Sequence, residues 1–287
     1  MPTYFDGNLV YIHIPKCAGK SVNLALVKYQ EKLCPHLGAE ALRFRWHESL
    51  FEVQNMFYGR WGKEKWNQAK IISTIRHPIQ RAISWWKYNR LVEIENQKLI
   101  KKSVNSEGKK ALFVSESACH PLITPQDHEK YNRKIPMCVH RENDDEFEKF
   151  KALSFSDYTK KMTFWKTSGC AAPDCFYHGL SPQVDWLRDI TGKIPLAKLN
   201  LFTVEEIQQI QDFLPSMPPL TFRNESFEDN QRQEKDNSFK HLTTESLIAL
   251  RRLYSEDFEI YDRLKGRPSD FLKPLDEKKL SALSSAG

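Results

Sequence analysis

Leu9-Val10-Tyr11-Ile12-His13-Ile14-Pro15-Lys16-Cys17-Ala18-Gly19-Lys20-Ser21 sets the architecture. The run from Leu9 to Ile14 is short, largely apolar and rich in β-branched residues, which predicts a buried strand. Pro15 to Lys20 then supply Pro, Gly and small side chains, the composition of a loop. Ser21 to Lys32 predicts a helix, with Val22, Leu24, Ala25, Leu26 and Tyr29 as its apolar positions. The opening therefore reads as strand, tight loop, helix.

A second such unit follows. Lys70-Ile71-Ile72-Ser73-Thr74-Ile75 predicts a strand, and Arg76-His77-Pro78 a break, with Pro78 placed for the first turn of a helix. That helix runs from Ile79 to about Leu99 and carries Ile83, Trp86, Leu91 and Ile94. Two units of this kind imply a parallel sheet with helices on its faces. Thr203-Val204-Glu205-Glu206 has the pattern of a capping box opening a helix that Pro215 stops. Leu247, Leu250, Tyr254, Phe258 and Tyr261 recur at spacings of three and four, predicting one amphipathic helix over Thr243 to Leu264. Lys101 to Lys110 is polar and basic and reads as an exposed loop. No linker divides the chain. The expectation is an α/β protein with a P-loop-like parallel sheet flanked by helices, a single domain over 1–265 and a tail over 266–287.

Composition narrows the class. The 287 residues include 43 Lys+Arg and 37 Asp+Glu, and 40% are hydrophobic, which excludes a largely disordered chain. The net charge of +6 is compatible with an anionic ligand, but it is also ordinary for a surface and gives no ground for a nucleic-acid partner. No run of about 18 apolar residues is present, so no membrane span is expected. The first residues lack a basic segment followed by an apolar one, so no signal peptide is expected either. Six cysteines are too sparse for a disulfide scaffold. Cys170, Cys175 and His178 have an unusual spacing for zinc and lack a fourth ligand. Asp144-Asp145-Glu146 lack the alternation of a calcium loop. No metal is expected.

The first loop has the chemistry of an anion site. A loop of small residues entering a helix presents several backbone N–H groups at one point, and the helix dipole adds positive potential there. Gly19 lacks the Cβ that would obstruct close approach. Lys16 and Lys20 add whole charges and Ser21 a hydroxyl. Gly19-Lys20-Ser21 fits the end of a Walker A loop, but Ile14 stands where its first glycine belongs. No apolar strand ending in Asp supplies a magnesium ligand.

His13 to Ser21 resembles the 5′-phosphosulfate loop of sulfotransferases that use 3′-phosphoadenosine 5′-phosphosulfate (PAPS). His-Ile-Pro-Lys at its start resembles the carbohydrate branch, such as heparan sulfate 2-O- and 6-O-sulfotransferases. Ile75-Arg76-His77-Pro78-Ile79-Gln80-Arg81-Ala82-Ile83-Ser84 resembles that family's 3′-phosphate motif, with His77 in place of an Asp. Leu253 to Tyr261 resembles its closing helix, and Asn224-Glu225-Ser226 a short element before it.

The resemblance implies transfer of a sulfuryl group from PAPS to a hydroxyl, or an amine, of a carbohydrate or small molecule, with release of adenosine 3′,5′-bisphosphate (PAP). It implies that Lys16, Cys17, Ala18, Gly19, Lys20 and Ser21 hold the phosphosulfate, with Lys16 catalytic. Arg76 and Ser84 would hold the 3′-phosphate; Arg81 divides between a surface ion pair and a nucleotide contact. The family's heparan sulfate members place a histidine between the two motifs. His47 fills that place as general base, with His36 second and Glu48 as its substitute or orienting partner. His13 lies on the strand itself and reads as a core histidine. Lysine, arginine and backbone N–H groups supply the positive field, so the resemblance calls for no metal. The lack of an apolar span and of a leader pattern leads to the expectation of a soluble, cytoplasmic protein, or of a Golgi-lumenal one if an N-terminal anchor precedes this sequence. The resemblance leaves the oligomeric state open. The alternatives are a P-loop kinase using Mg·ATP and an inactive nucleotide- or glycan-binding module.

Overall fold

A strand with apolar residues at every position must be covered on both faces. Strand β2 (Leu9–Ile12) is of this kind, and all four residues are buried. Val10 and Ile12 enter one apolar cluster, while Leu9 and Tyr11 enter another on the opposite face. The computed structural model describes residues 3–37, 48–87, 153–168, 181–220 and 242–265. In chain order its elements are β1 (Thr3–Tyr4), β2, α1 (Gly19–Leu33), α2 (Leu50–Gln68), β3 (Lys70–Ile75), α3 (residues 78–87), α4 (Phe155–Ser168), α5 (Gln183–Trp186), β4 (Leu199–Thr203), α6 (Gln209–Phe213), α7 (Thr244–Leu253) and α8 (Ser255–Lys265).

These elements form an α/β domain around one sheet of strand order β1-β2-β3-β4. β2 pairs with β3 and β3 with β4 in parallel, and β1 adds a short antiparallel edge. The register sets Ile12 opposite Ser73 and Ile75 opposite Thr203. On one face, Leu50, Val53, Phe57 and Trp66 of α2 and Ile260, Tyr261 and Leu264 of α8 cover Val10, Ile12, Ile71 and Leu201. On the other, Val22, Leu26 and Tyr29 of α1 cover Leu9, Tyr11, Ile72 and Phe202. A third cluster joins α3, α4 and α7 through Ile83, Trp85, Phe155, Tyr158, Leu250 and Tyr254. Among the described residues no helix is long and apolar enough to cross a membrane.

Several expectations change. β2 stops at Ile12, and α1 begins at Gly19. Thr203 closes β4; its Oγ1 accepts the Glu206 N–H at 3.2 Å as a cap would, but the chain then turns through three-residue bonds, and regular helix covers only Gln209–Phe213. The closing helix is two helices broken at Tyr254, whose backbone is non-helical (φ −113, ψ 26). The cause is divided packing: α7 faces the third cluster, while Ile260, Tyr261 and Leu264 of α8 face the sheet. The part of the predicted Ile79–Leu99 helix beyond residue 87, the loop Lys101–Lys110 and the tail 266–287 lie outside the described residues.

Gly19 also has a packing reason. A Cβ there would fall within the His13 imidazole, over Cδ2 and Nε2. His13 is buried and stacks on Tyr11 at 6.0 Å, so the ring does not yield freely. Gly19→Ala is expected to lose about 1–3 kcal/mol by overpacking. Adding His13→Ala recovers part of that loss in urea titrations. A Gly19→Ala protein as stable as wild type contradicts this packing.

Candidate active site

The loop between β2 and α1 is held in an uncommon shape. Lys16 (φ 67) and Ala18 (φ 59) both adopt the left-handed conformation. For residues with a Cβ each such turn costs on the order of 1–3 kcal/mol, and it persists where surrounding contacts over-determine it. Those contacts are present. Thr74 Oγ1 on β3 donates to the Cys17 carbonyl at 2.6 Å, and is itself 2.8 Å from the Tyr11 hydroxyl. Arg81 Nε on α3 donates to the Pro15 carbonyl at 3.0 Å. The buried Cys17 thiol donates to Gln183 Oε1 at 3.1 Å.

The result is an open helix end. The first bonds of α1 run from the Ser21 and Val22 N–H groups to the Ala18 carbonyl. The preceding N–H groups have no intrahelical acceptor, and among the described residues no side chain caps this end. Charges gather at the same place. Burial pushes the Lys16 ammonium down to about 8, and the neighbouring Arg76 and Lys20 charges push in the same direction. Lys20 is exposed; Lys16, Ser21 and Arg76 are half-buried.

Arg76 directly follows β3, and Lys16 follows the neighbouring strand β2. Carboxyl ends of adjacent parallel strands are where α/β sheets collect ligands. The Nε atom of Arg76 is buried and meets no hydrogen-bond partner among the described residues. The Arg76 backbone is fixed on both sides by Gln183, which accepts its N–H and donates to its carbonyl, each at 2.8 Å. Asp257 of α8 anchors Gln183 in turn, accepting the N–H groups of Gln183 at 2.8 Å and Val184 at 2.9 Å. Burial raises the Asp257 carboxyl to about 6, against the opposing pull of the Arg81 charge and of those N–H donors. It is therefore a carboxylate at neutral pH.

The remaining candidates fall into place unevenly. Cys17 lies in the loop between β2 and α1, Ala18 is the N-cap of α1 and Gly19 its first residue. Ser84 is half-buried on α3, and no hydrogen bond joins it to Arg76 among the described residues. Arg81 is 1% exposed and bonds the Pro15 and Ser181 carbonyls, so it is a brace for the loop rather than a surface ion pair. His36 follows α1, whose length of about 22 Å at 1.5 Å per residue separates it from the loop. It is excluded as a base acting at Lys16. Glu48 is buried just before α2. His77 lies edge-on to Phe258 (5.5 Å) and Tyr261 (5.2 Å), and burial lowers its pKa, so it is neutral at pH 7. His47, Asn224–Ser226, Asp144–Glu146, Cys170, Cys175 and His178 lie outside the described residues. Among the described residues no three His, Cys, Asp or Glu side chains gather as a metal would require.

The sequence model described as the sulfotransferase family matches residues 5–262, nearly the whole chain and both loops above. The chain belongs to the sulfotransferase family. It is a transferase, and its chemistry is sulfuryl transfer. Searches of curated proteins and of solved structures return no significant match. The heparan sulfate branch has no support from these comparisons.

Sequence reading missed Gln183 and Asp257, which join the two loops of this sulfotransferase. Asp257→Asn replaces an acceptor of several N–H bonds by a group that is half donor. It is expected to lower stability at pH 7 by about 1–3 kcal/mol, read by denaturant titration. An unchanged midpoint removes Asp257 from the framework.

Proposed function

We propose that this sulfotransferase uses PAPS and delivers its sulfuryl group to a hydroxyl, or an amine, of a carbohydrate or small-molecule acceptor. The observation that carries the reading is a pair of like charges. Lys16 and Arg76 stand within Coulombic reach of each other at the ends of two adjacent strands, beside an uncapped helix N-terminus. Such a cluster is unfavourable alone and favourable around an anion. The residues present fit a nucleotide charged at both ends. The loop Lys16–Ser21 takes the 5′-phosphosulfate, and Arg76, aided by Ser84, takes the 3′-phosphate.

PAPS supplies an activated sulfuryl group; its transfer to the acceptor oxygen breaks the sulfur–oxygen bond to the 5′-phosphate and leaves PAP. Lys16 stabilises the charge that grows on the departing phosphate oxygen, and the N–H groups opening α1 share it. Preorganised donors of this kind are worth about 3–4 kcal/mol. Arg76 anchors the distant phosphate, so its binding energy orients the reacting end. His47, or Glu48 beside it, takes the acceptor's proton.

PAP is expected to raise the melting temperature without magnesium; a requirement for Mg·ATP would favour a kinase instead. With radiolabelled PAPS and a panel of acceptors, Lys16→Ala is expected to reduce transfer by about 10²–10³-fold. Near-normal transfer contradicts the role of Lys16, and no transfer by wild type to any acceptor points to an inactive binding module. The pH dependence has a definite sign. Lys16 is charged below about 8 and neutral above it. PAP affinity should therefore weaken as pH rises through that value. In Lys16→Ala this weakening should be absent.

A further inference from the structure

A primary carboxamide has an oxygen that accepts two hydrogen bonds and a nitrogen that donates two. Gln183 is 1% exposed and fills all four positions. Its Oε1 accepts the Arg76 N–H at 2.8 Å and the Cys17 thiol at 3.1 Å. Its Nε2 donates to the Arg76 carbonyl at 2.8 Å and to Asp257 Oδ2 at 3.4 Å. The contact with Arg76 repeats the N–H and C=O pairing of a β-ladder just past the end of β3. A reversed amide would set oxygen against the Arg76 carbonyl and nitrogen against its N–H, so the network fixes the orientation.

We infer that Gln183 is a positioning residue that aims Arg76 at the 3′-phosphate and keeps it in register with the Lys16 loop. This rests on the PAPS reading above. Arg76 has a buried Nε with no hydrogen-bond partner among the described residues, so its aim is set at the backbone. The backbone there is held by Gln183 on both sides. Through Cys17 the same carboxamide reaches the loop that carries Lys16. The bonds that Gln183 and Val184 make to Asp257 prevent the carboxamide from drifting. Methionine would fill the volume and make none of these bonds. Glutamate would set a carboxylate oxygen against the Arg76 carbonyl and the Asp257 carboxylate.

Calorimetric titration separates positioning from mere support. PAP and AMP, which lacks the 3′-phosphate, are titrated into wild type, Gln183→Met, Arg76→Ala and the double variant. Wild type is expected to prefer PAP. Gln183→Met should weaken PAP about tenfold while AMP stays within about twofold. The double variant should bind PAP no more weakly than Arg76→Ala alone. Equal weakening of both nucleotides, or full additivity of the two substitutions, overturns the inference. If wild type binds PAP no better than AMP, the PAPS reading itself fails and the inference falls with it. Should Gln183→Met melt below the assay temperature, Gln183→Asn, which keeps the carboxamide but sets it one methylene short, carries the same comparison.

Discussion

Lys16 and Arg76 repel each other, and the fold keeps them side by side. Each follows one of two adjacent parallel strands, β2 and β3, so the sheet topology dictates their proximity. Repulsion between charges partly withdrawn from water exceeds that at an open surface. It adds to burial, the larger cause, in bringing the Lys16 ammonium down to about 8. An anion between them reverses the sign of the interaction, and one charged at both ends can engage both cations. The remaining structure around the site serves to hold that arrangement.

That support is a shell of buried polar groups, each satisfied by another. Thr74 and Arg81 fix the carbonyls on either side of Lys16, and with them the left-handed turns at Lys16 and Ala18. Gln183 links this loop to Arg76, and Asp257 ties Gln183 to the last described helix. Satisfied networks of this kind stiffen a site, and a partner removed from one leaves buried polar atoms exposed to loss. The framework draws on segments far apart in sequence, so the two nucleotide loops do not act as independent motifs.

This separation explains what could be read from the sequence. The two loops were legible because their chemistry is local: a strand, small or basic residues, then a helix. Strands β2 and β3 were found for the same reason. Helix α2 was not, although Ser49 and Glu52 form a capping box. Its Gly62 (φ 82) interrupts the helix and breaks the apolar periodicity. Strand β4 is five residues long and contains Asn200, so only its pairing with β3 reveals it. The closing stripe Leu247 to Tyr261 is continuous in sequence yet serves two clusters, which hid the break at Tyr254. Gln183 and Asp257 look like ordinary polar residues until the fold buries them against partners many positions away. Gly19 was legible as a position of close approach, but the His13 ring packed against it was not.

The most direct test of the charged clamp is the proton balance of nucleotide binding. Calorimetry of PAP at pH 8, in two buffers of different ionisation enthalpy, counts protons taken up. A Lys16 ammonium that titrates near 8 must be restored to full charge by the bound anion, giving uptake of about half a proton per nucleotide. That uptake should vanish in Lys16→Ala. Binding with no proton uptake, or with the same uptake in both proteins, would contradict the clamp.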